Sequence, residues 1–408
     1  MKITAVEAIP INPPLAARNQ AQKVRFAGID TQTVFKITGD NGLVGYGDNR
    51  GHSALSEALI NQLVDANPVD FLHAELPAGL MGALYDLVGK HLEVPAYKLL
   101  GKKVRDHVPV AAWTRPASPE DLALEVQRAA AEGYMIFKIH TCEQFDVLEQ
   151  NRAVEEVAPH GFKMHYDFNH NRPSTAVLAL VQQLEKSPVV GFLEDPLRWQ
   201  DIEGWRLLRQ KTFLPILMHV PQLGGGPEML HGCADLYMIG ECGIATSIRR
   251  GYAAAEVNAS TVIQLTGGTL SKAMALHLGA VIPNVSHSTN LDDQYDEDVT
   301  GGRIEIVEGS SPVPQGPGLG VDVDEAILQR LAAIPNTEIP RHVGILHLPG
   351  GHKYYTPSMP SPSSLSGFLE GTIRGLRAEI WDDDGSPEFA AAYERVQREG
   401  QYMENPEK

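Results

Sequence analysis

The stretch SPEDLALEVQRAAAEGYMIFKIH, residues 118–140, sets the rhythm from which the fold is read. Ser118 offers a side-chain oxygen to the first free N–H groups of a helix. Pro119 loses nothing at the first helical position, and Glu120 and Asp121 sit at the positive helix end. Leu122, Val126, Ala129 and Ala130 recur on one face, and Gly133 stops the helix. MIFKIH (135–140) then reads as a short buried strand. The same pairing of strand and helix repeats around it. The other strands are VPVAAW (108–113), KMHYDFN (163–169), GFLEDP (191–196), PILMHV (215–220), DLYMIG (235–240), TVIQL (261–265) and NVSHS (284–288). Helices are expected at Phe145–Val157, Ser174–Leu184, Ile202–Arg209, Ile248–Val257 and Lys272–Val281, with a short one after strand five. Eight strands with helices between them predict an α/β protein built on a closed (β/α)₈ barrel. An open doubly wound sheet would show a Gly-rich turn after its first strand, and Ala111–Pro116 has none.

Outward from this block the pattern changes. Residues 1–107 read as an α+β capping domain. The run Ile3–Ile9 is a strand stopped by Pro10, Thr33–Ile37 is another, and Asp40-Asn41-Gly42 is a hairpin turn. Helices are expected at Ser53–Asp65 and Leu80–His91, and residues 14–29 as a mobile flap. Residues 108–320 hold the barrel. Residues 321–408 form a C-terminal segment expected to pack back on the capping domain. It has a helix at Asp324–Ala333, an extended arm around Pro357, Pro360 and Pro362, and a polar helix from Pro387.

The chain has 408 residues and a net charge of −17, from 34 basic and 51 acidic residues. Such a surface repels a phosphate backbone, so nucleic acid is excluded as the expected partner. No apolar run has the length of a membrane span, and MKITAVEAIPI lacks the unbroken apolar core of a signal peptide. Cys142, Cys233 and Cys242 suggest neither a disulfide framework nor a thiolate metal site. The expectation is a cytoplasmic homo-oligomer acting on a small carboxylate.

In a βα barrel the chemistry sits at the C-terminal strand ends. Strand two ends in Lys138 and His140, strand three in Asp167 and Asn169, strand four in Glu194. Alternation sends each pair to the same side. Two carboxylates with a neighbouring amide suit a hard cation such as Mg²⁺. Such a cation holds a substrate carboxylate while the α-proton leaves. Lys138 then neutralises the same oxygens, Asn169 joins it as a substrate contact, and His140 is the candidate base. The plainer alternative is a salt bridge of Lys138 with the two acids and a hydrogen-bonded His140.

Further motifs carry a resemblance. Tyr85-Asp86-Leu87-Val88-Gly89-Lys90 and Val94–Gly101 link the first domain to the barrel. Phe137-Lys138-Ile139-His140, Tyr166-Asp167-Phe168-Asn169 and Leu193-Glu194-Asp195-Pro196 fall on successive strands. Together they resemble the enolase superfamily, in its mandelate racemase and muconate-lactonizing branch, over nearly all of residues 1–320. The resemblance implies Asp167 and Glu194 as metal ligands, Lys138 as carboxylate contact, and His140 in place of a basic lysine. It also implies a third carboxylate ligand on strand five, where Val220 stands; His219 is the nearest replacement, unless alternation turns it away. An aspartate–histidine pair is implied on strands six and seven, where Gly240 and Gln264 stand. Glu241, Cys242 and His287 are the nearby substitutes.

With that pair absent, one-sided chemistry is favoured. The expected reaction is dehydration of a hydroxy acid or sugar acid, with racemisation or epimerisation as the alternative. The other class is a barrel without catalysis. Lys138 paired directly to Asp167 and Glu194 would favour that class, and a cation completed by His219 would favour the enzyme. His165, His170, His347 and His352 show no trusted ligand spacing. His277 on its helix is expected to pack or face solvent, and Gly224-Gly225-Gly226 reads as a flexible loop rather than a phosphate cradle.

Overall fold

The computed structural model describes the chain except residues 21–23, 25–27, 142–144, 170–173, 220, 222–225, 337, 359–374 and 407–408. Cys142, His170, Val220, Gly224, Gly225, Pro360 and Pro362 lie outside the described residues.

The N-terminal sheet is a meander of β1 (Ile3–Ile11), β2 (Gln32–Gly39) and β3 (Val44–Arg50), all antiparallel. The turn at Asp40–Gly42 forms as read: Gly42 has φ +81° and Asn41 Oδ1 accepts from Leu43 N at 3.2 Å. Pro10 does not stop β1, which runs on to Ile11. The strand lies at the sheet edge, where a missing N–H costs no ladder bond. The helix Ala78–His91 lies against β3 so closely that a Cβ on Gly47 would stand 2.1 Å from Gly79 O. Glycines at 45, 47 and 79 permit that approach.

The barrel strands are β4 (His107–Thr114), β5 (Ile136–His140), β6 (Lys163–Asp167), β7 (Val190–Glu194), β8 (Ile216–Met218), β9 (Leu236–Gly240), β10 (Ser260–Gln264) and β11 (Val285–Thr289). Each pairs in parallel with the next, and β11 closes on β4 at Ser288↔Val110 and Thr289↔Ala111. The (β/α)₈ barrel is therefore as the sequence predicts. The helix opened by Ser118 runs Pro119–Ala131, with Ser118 Oγ accepting from Asp121 N at 3.0 Å. It buries Leu122, Val126 and Ala129, and full burial of one such leucine stabilises by roughly 1.5–3 kcal/mol.

One helix begins earlier than its own sequence suggests. It starts at Thr269, not Lys272, because two distant carboxylates cap it. Asp48 of β3 accepts from Gly268 N at 2.9 Å and Ser271 N at 2.8 Å, and Asp298 accepts from Thr269 N at 2.5 Å. Asp48 thus docks the N-terminal domain on the strand-seven end of the barrel. Burial and the neighbouring Asp298 push its pKa up to about 7.

The C-terminal chain holds strands that its sequence pattern did not announce. After the helix Glu325–Ala333 come β12 (His342–His347), β13 (Lys353–Thr356), β14 (Arg377–Asp382) and β15 (Tyr402–Glu404), in the order β14-β12-β13-β15. Val343, Ile345, Tyr355 and Tyr402 pack with Phe389 and Val396 of the helix Pro387–Glu399. The helix Glu325–Ala333 meets the N-terminal sheet through Lys36–Glu325 and Asn12 N to Leu331 O. The sheet unit meets the barrel through Arg377, which pairs with Glu149 at 3.3 Å. No helix among the described residues is long and apolar enough to cross a membrane.

Candidate active site

Alternation along each strand fills the barrel mouth. Phe192, Leu217, Leu236, Met238 and Val262 pack together inside the barrel. Two residues further along in each strand, side chains reach the C-terminal rim. Glu194 follows Phe192 there, and His219 follows Leu217. His219 therefore turns inward, and the doubt that alternation would aim it away is answered by Leu217. Lys138, Asp167, Glu194 and His219 meet at one point, and His140 and Asn169 stand beside it.

Lys138 is fully buried. Its Nζ lies 2.7 Å from Glu194 Oε2 and 3.2 Å from Asp167 Oδ2, and donates to Gln264 Oε1 at 2.9 Å. Burial opposes its charge, but the two carboxylates outweigh burial and raise its pKa. Glu194 is equally buried and is held well below the usual carboxylate range by Lys138, His165 and His219 despite its burial. His219 Nδ1 stands 2.8 Å from Glu194 Oε1, and its Nε2 stands 3.3 Å from Glu241 Oε2. Glu241 Oε1 accepts from Thr266 Oγ1 at 3.1 Å. Burial works against a charged His219, but Glu194 and Glu241 overcome it and push the pKa up to about 10.

Asp167, Glu194 and His219 offer three donor atoms that all lie within 4.8 Å of one another. Both Glu194 oxygens are buried and have close nitrogens, yet neither is engaged with hydrogen-bond directionality. Buried carboxylate oxygens left in that condition fit a cation, which attracts charge without demanding a donor angle.

His140 stands 3.5 Å from Asp167 Oδ2, and its Nδ1 lies 3.1 Å from Asn169 Oδ1. The Asn169 amide nitrogen donates to Asp167 O at 3.3 Å and Thr141 O at 3.4 Å. Its oxygen is therefore the acceptor toward His140, which assigns the ring proton to Nδ1 and leaves Nε2 with a lone pair. Asn169 takes a positive φ of 51°, a conformation asparagine tolerates better than most residues. Burial, ahead of the attraction of Asp167, lowers the His140 pKa to about 4, so the ring is neutral near pH 7. Trp113 packs edge-on against it at 5.8 Å.

The places of the missing pair have physical occupants. Gly240 has φ +109°, and a Cβ there would stand 2.1 Å from Gln264 O. No aspartate fits that backbone. Gln264 instead holds Lys138. Of the three substitutes, Glu241 pairs with His219, and Cys242 lies 3.4 Å from Ser247. His287 turns into the barrel, with Nε2 3.0 Å from His165 Nδ1, while His165 Nε2 stands 2.6 Å from Glu194 Oε2. The sequence offered one signal for this buried support, since His165 alternates with Asp167. Its partner on strand eight had none. His277 packs: Nδ1 accepts from Tyr97 N at 3.3 Å and Nε2 faces Leu319 O at 3.1 Å. His347 pairs with Glu379 on the C-terminal sheet.

Known proteins resemble this chain in sequence and in fold. Residues 121–327 match the family model described as enolase C-terminal domain-like. D-gluconate dehydratase of Thermoproteus tenax is 28% identical over 284 residues, which are 63% of this chain and 56% of that protein. The chain thus spans about half the length of that relative. A D-galactonate dehydratase of Ralstonia nicotianae is 25% identical over 362 residues, 75% of this chain and 92% of its own. The crystal structure of N-succinyl Arg/Lys racemase from Bacillus cereus superposes with a TM-score of 0.68 at 21% identity, covering 82% of this chain and 99% of that one. Barrel, capping sheet and strand-end carboxylates thus come together with the matched residues, and the chain belongs to the enolase superfamily, in its mandelate racemase/muconate lactonizing branch.

Proposed function

We propose that the chain is an acid-sugar dehydratase that removes the proton α to a carboxylate. The convergence of Lys138, His140, Asp167, Glu194 and His219 on one point carries this reading. Two relatives named as sugar-acid dehydratases support the substrate class.

Asp167, Glu194 and His219 would hold a divalent cation, for which Mg²⁺ is the expectation from the two carboxylates. When bound, such a cation polarises the substrate carboxylate and favours loss of the α-proton. Lys138 adds a fixed positive charge at the same place. His140 Nε2 accepts the α-proton while Nδ1–H stays on Asn169. The same imidazolium then donates that proton to the β-hydroxyl, which leaves as water. The enol acid that remains tautomerises to the 2-oxo-3-deoxy acid. One base on one face suffices for this syn course. Racemisation would need a second group on the other face, where Gly240 and Gln264 stand.

Turnover of a panel of aldonic and aldaric acids tests the reading, together with exchange of the substrate α-proton in D₂O. His140→Ala is expected to slow that exchange by roughly 10²–10⁴-fold. Unchanged exchange removes His140 from the mechanism, and no turnover of any acid removes the dehydratase.

One observation favours a second reading, a barrel without catalysis. Lys138 pairs directly with both acids, so its ammonium is the resident cation of the cluster. Calorimetric titration with divalent metals, with Asp167→Ala as control, separates the two. Absence of binding by the native chain supports the second.

A further inference from the structure

The ligand set differs in kind from three carboxylates, and the difference is supported from behind. His219 aims a ring nitrogen, Nδ1, at the point shared with Asp167 and Glu194, and a metal binding there would displace the proton from that nitrogen. Imidazole is a poor partner for Mg²⁺, which prefers oxygen, and a good one for first-row transition dications. The ring's other nitrogen faces Glu241 Oε2 at 3.3 Å. Glu241 is itself tied by Thr266. A histidine ligand whose far nitrogen meets a carboxylate is the arrangement that fixes the ring and raises its basicity toward a metal. Glu241 has no other part in the proposed chemistry, which leaves this pairing as its use.

We infer that Asp167, Glu194 and His219, backed by Glu241, form a site selective for a transition dication of the Mn²⁺ or Zn²⁺ kind over Mg²⁺. This rests on the proposed reading of Asp167 and Glu194 as ligands and refines the identity of the ion. Lys138 sits on Oε2 of Glu194 and leaves Oε1 toward His219, so the ammonium does not block the oxygen that would serve as ligand. Glu241 acts here as a positioning residue.

The test uses the full chain, stripped with chelator and titrated separately with Mg²⁺, Mn²⁺ and Zn²⁺ in a calorimeter. Mn²⁺ and Zn²⁺ are expected to bind at least about 100-fold more tightly than Mg²⁺, following the preference of a nitrogen donor. Glu241→Gln should weaken Mn²⁺ by roughly 10–100-fold. His219→Glu should narrow the gap between the transition dications and Mg²⁺. Pulsed EPR of the Mn²⁺ form should show one directly bound nitrogen, absent in His219→Glu. Equal affinity for Mg²⁺ and Mn²⁺, or bound Mn²⁺ with no nitrogen coupling, overturns the inference. So does Mn²⁺ affinity unchanged by Glu241→Gln in a protein with native circular dichroism. If His219→Glu does not fold, the native EPR and Glu241→Gln results still decide. No binding of any metal overturns the ligand reading itself, whereas metal selectivity without turnover of any sugar acid overturns only the dehydratase.

Discussion

The two halves of the barrel mouth are built from opposite chemistry. Strands β5 to β8 bring Lys138, His140, Asp167, Glu194 and His219 to the rim, all ionisable. Strands β9 to β11 end in Gly240, Gln264 and Thr289, none of which titrates. The neutral half supports the charged one, since Gln264 holds Lys138 and the loop residues Glu241 and Thr266 hold His219. In the proposed mechanism, proton chemistry is thereby confined to one face of the substrate. A symmetric racemase would place an acid–base group on both.

The sharpest way to break this comparison is to remove the centre of the charged half. Glu194→Ala leaves the buried Lys138 with Asp167 as its one remaining carboxylate partner and removes the partner of His165. A loss of roughly 3–5 kcal/mol in urea denaturation is expected. A loss below about 1 kcal/mol would mean that the cluster is not an electrostatic unit.

The next test lies behind the neutral half, on the helix Thr269–Val281. Burial lowers the pKa of His277 to about 4 from its ordinary 6.5. The folded chain therefore favours the neutral ring, and the unfolded chain takes up the proton first as pH falls. Stability from this group is full above pH 6.5 and declines as pH drops toward 4. The difference amounts to about 3 kcal/mol. His277→Gln should flatten that part of the profile, and urea midpoints at pH 7 and pH 4 would measure it. An identical acid decline in the variant would clear His277 of any part in it.

Restoring the family's aspartate sharpens the comparison further. Gly240→Asp puts a side chain at φ +109° against Gln264 O, at a cost of about 1–3 kcal/mol in backbone strain alone. It should lower the melting temperature without creating second-face exchange in D₂O. A variant as stable as the native chain would show that the neutral half is free to vary. The smallest effect is expected outside both halves. Ser118→Ala removes the cap of the helix Pro119–Ala131 and should cost about 1 kcal/mol, with metal binding unchanged.

Much of the candidate site is legible in the sequence. Lys138 with His140, and Asp167 with Asn169, are spaced two apart at the ends of apolar runs, and period two sends each pair to one side. Glu194 ends the next run in the same way. His219 was harder, since β8 is only three residues long and gives alternation little to act on. Leu217 inside the barrel settles its direction. Asn169, the expected substrate contact, meets the His140 ring through its amide oxygen, because its amide nitrogen is occupied by two backbone carbonyls. The strands His342–His347, Lys353–Thr356, Arg377–Asp382 and Tyr402–Glu404 leave little trace in the sequence because they are short and lie near glycines and prolines, where turn signals outweigh the alternation in HVGILH.

Local order in the barrel was thus determined largely by sequence alone: which of its runs are strands, where the helix that Ser118 caps begins and ends, and that Lys138, His140, Asp167, Asn169 and Glu194 reach the rim. These depend on neighbours a few residues away, and periodicity records them. What only the tertiary structure decided are the pairings across long separations. Asp48 caps a helix that begins at Thr269, His165 leans on His287, and Glu241 backs His219. A hydrogen bond between distant segments leaves no period in either of them, so it exists as information only once the barrel has closed.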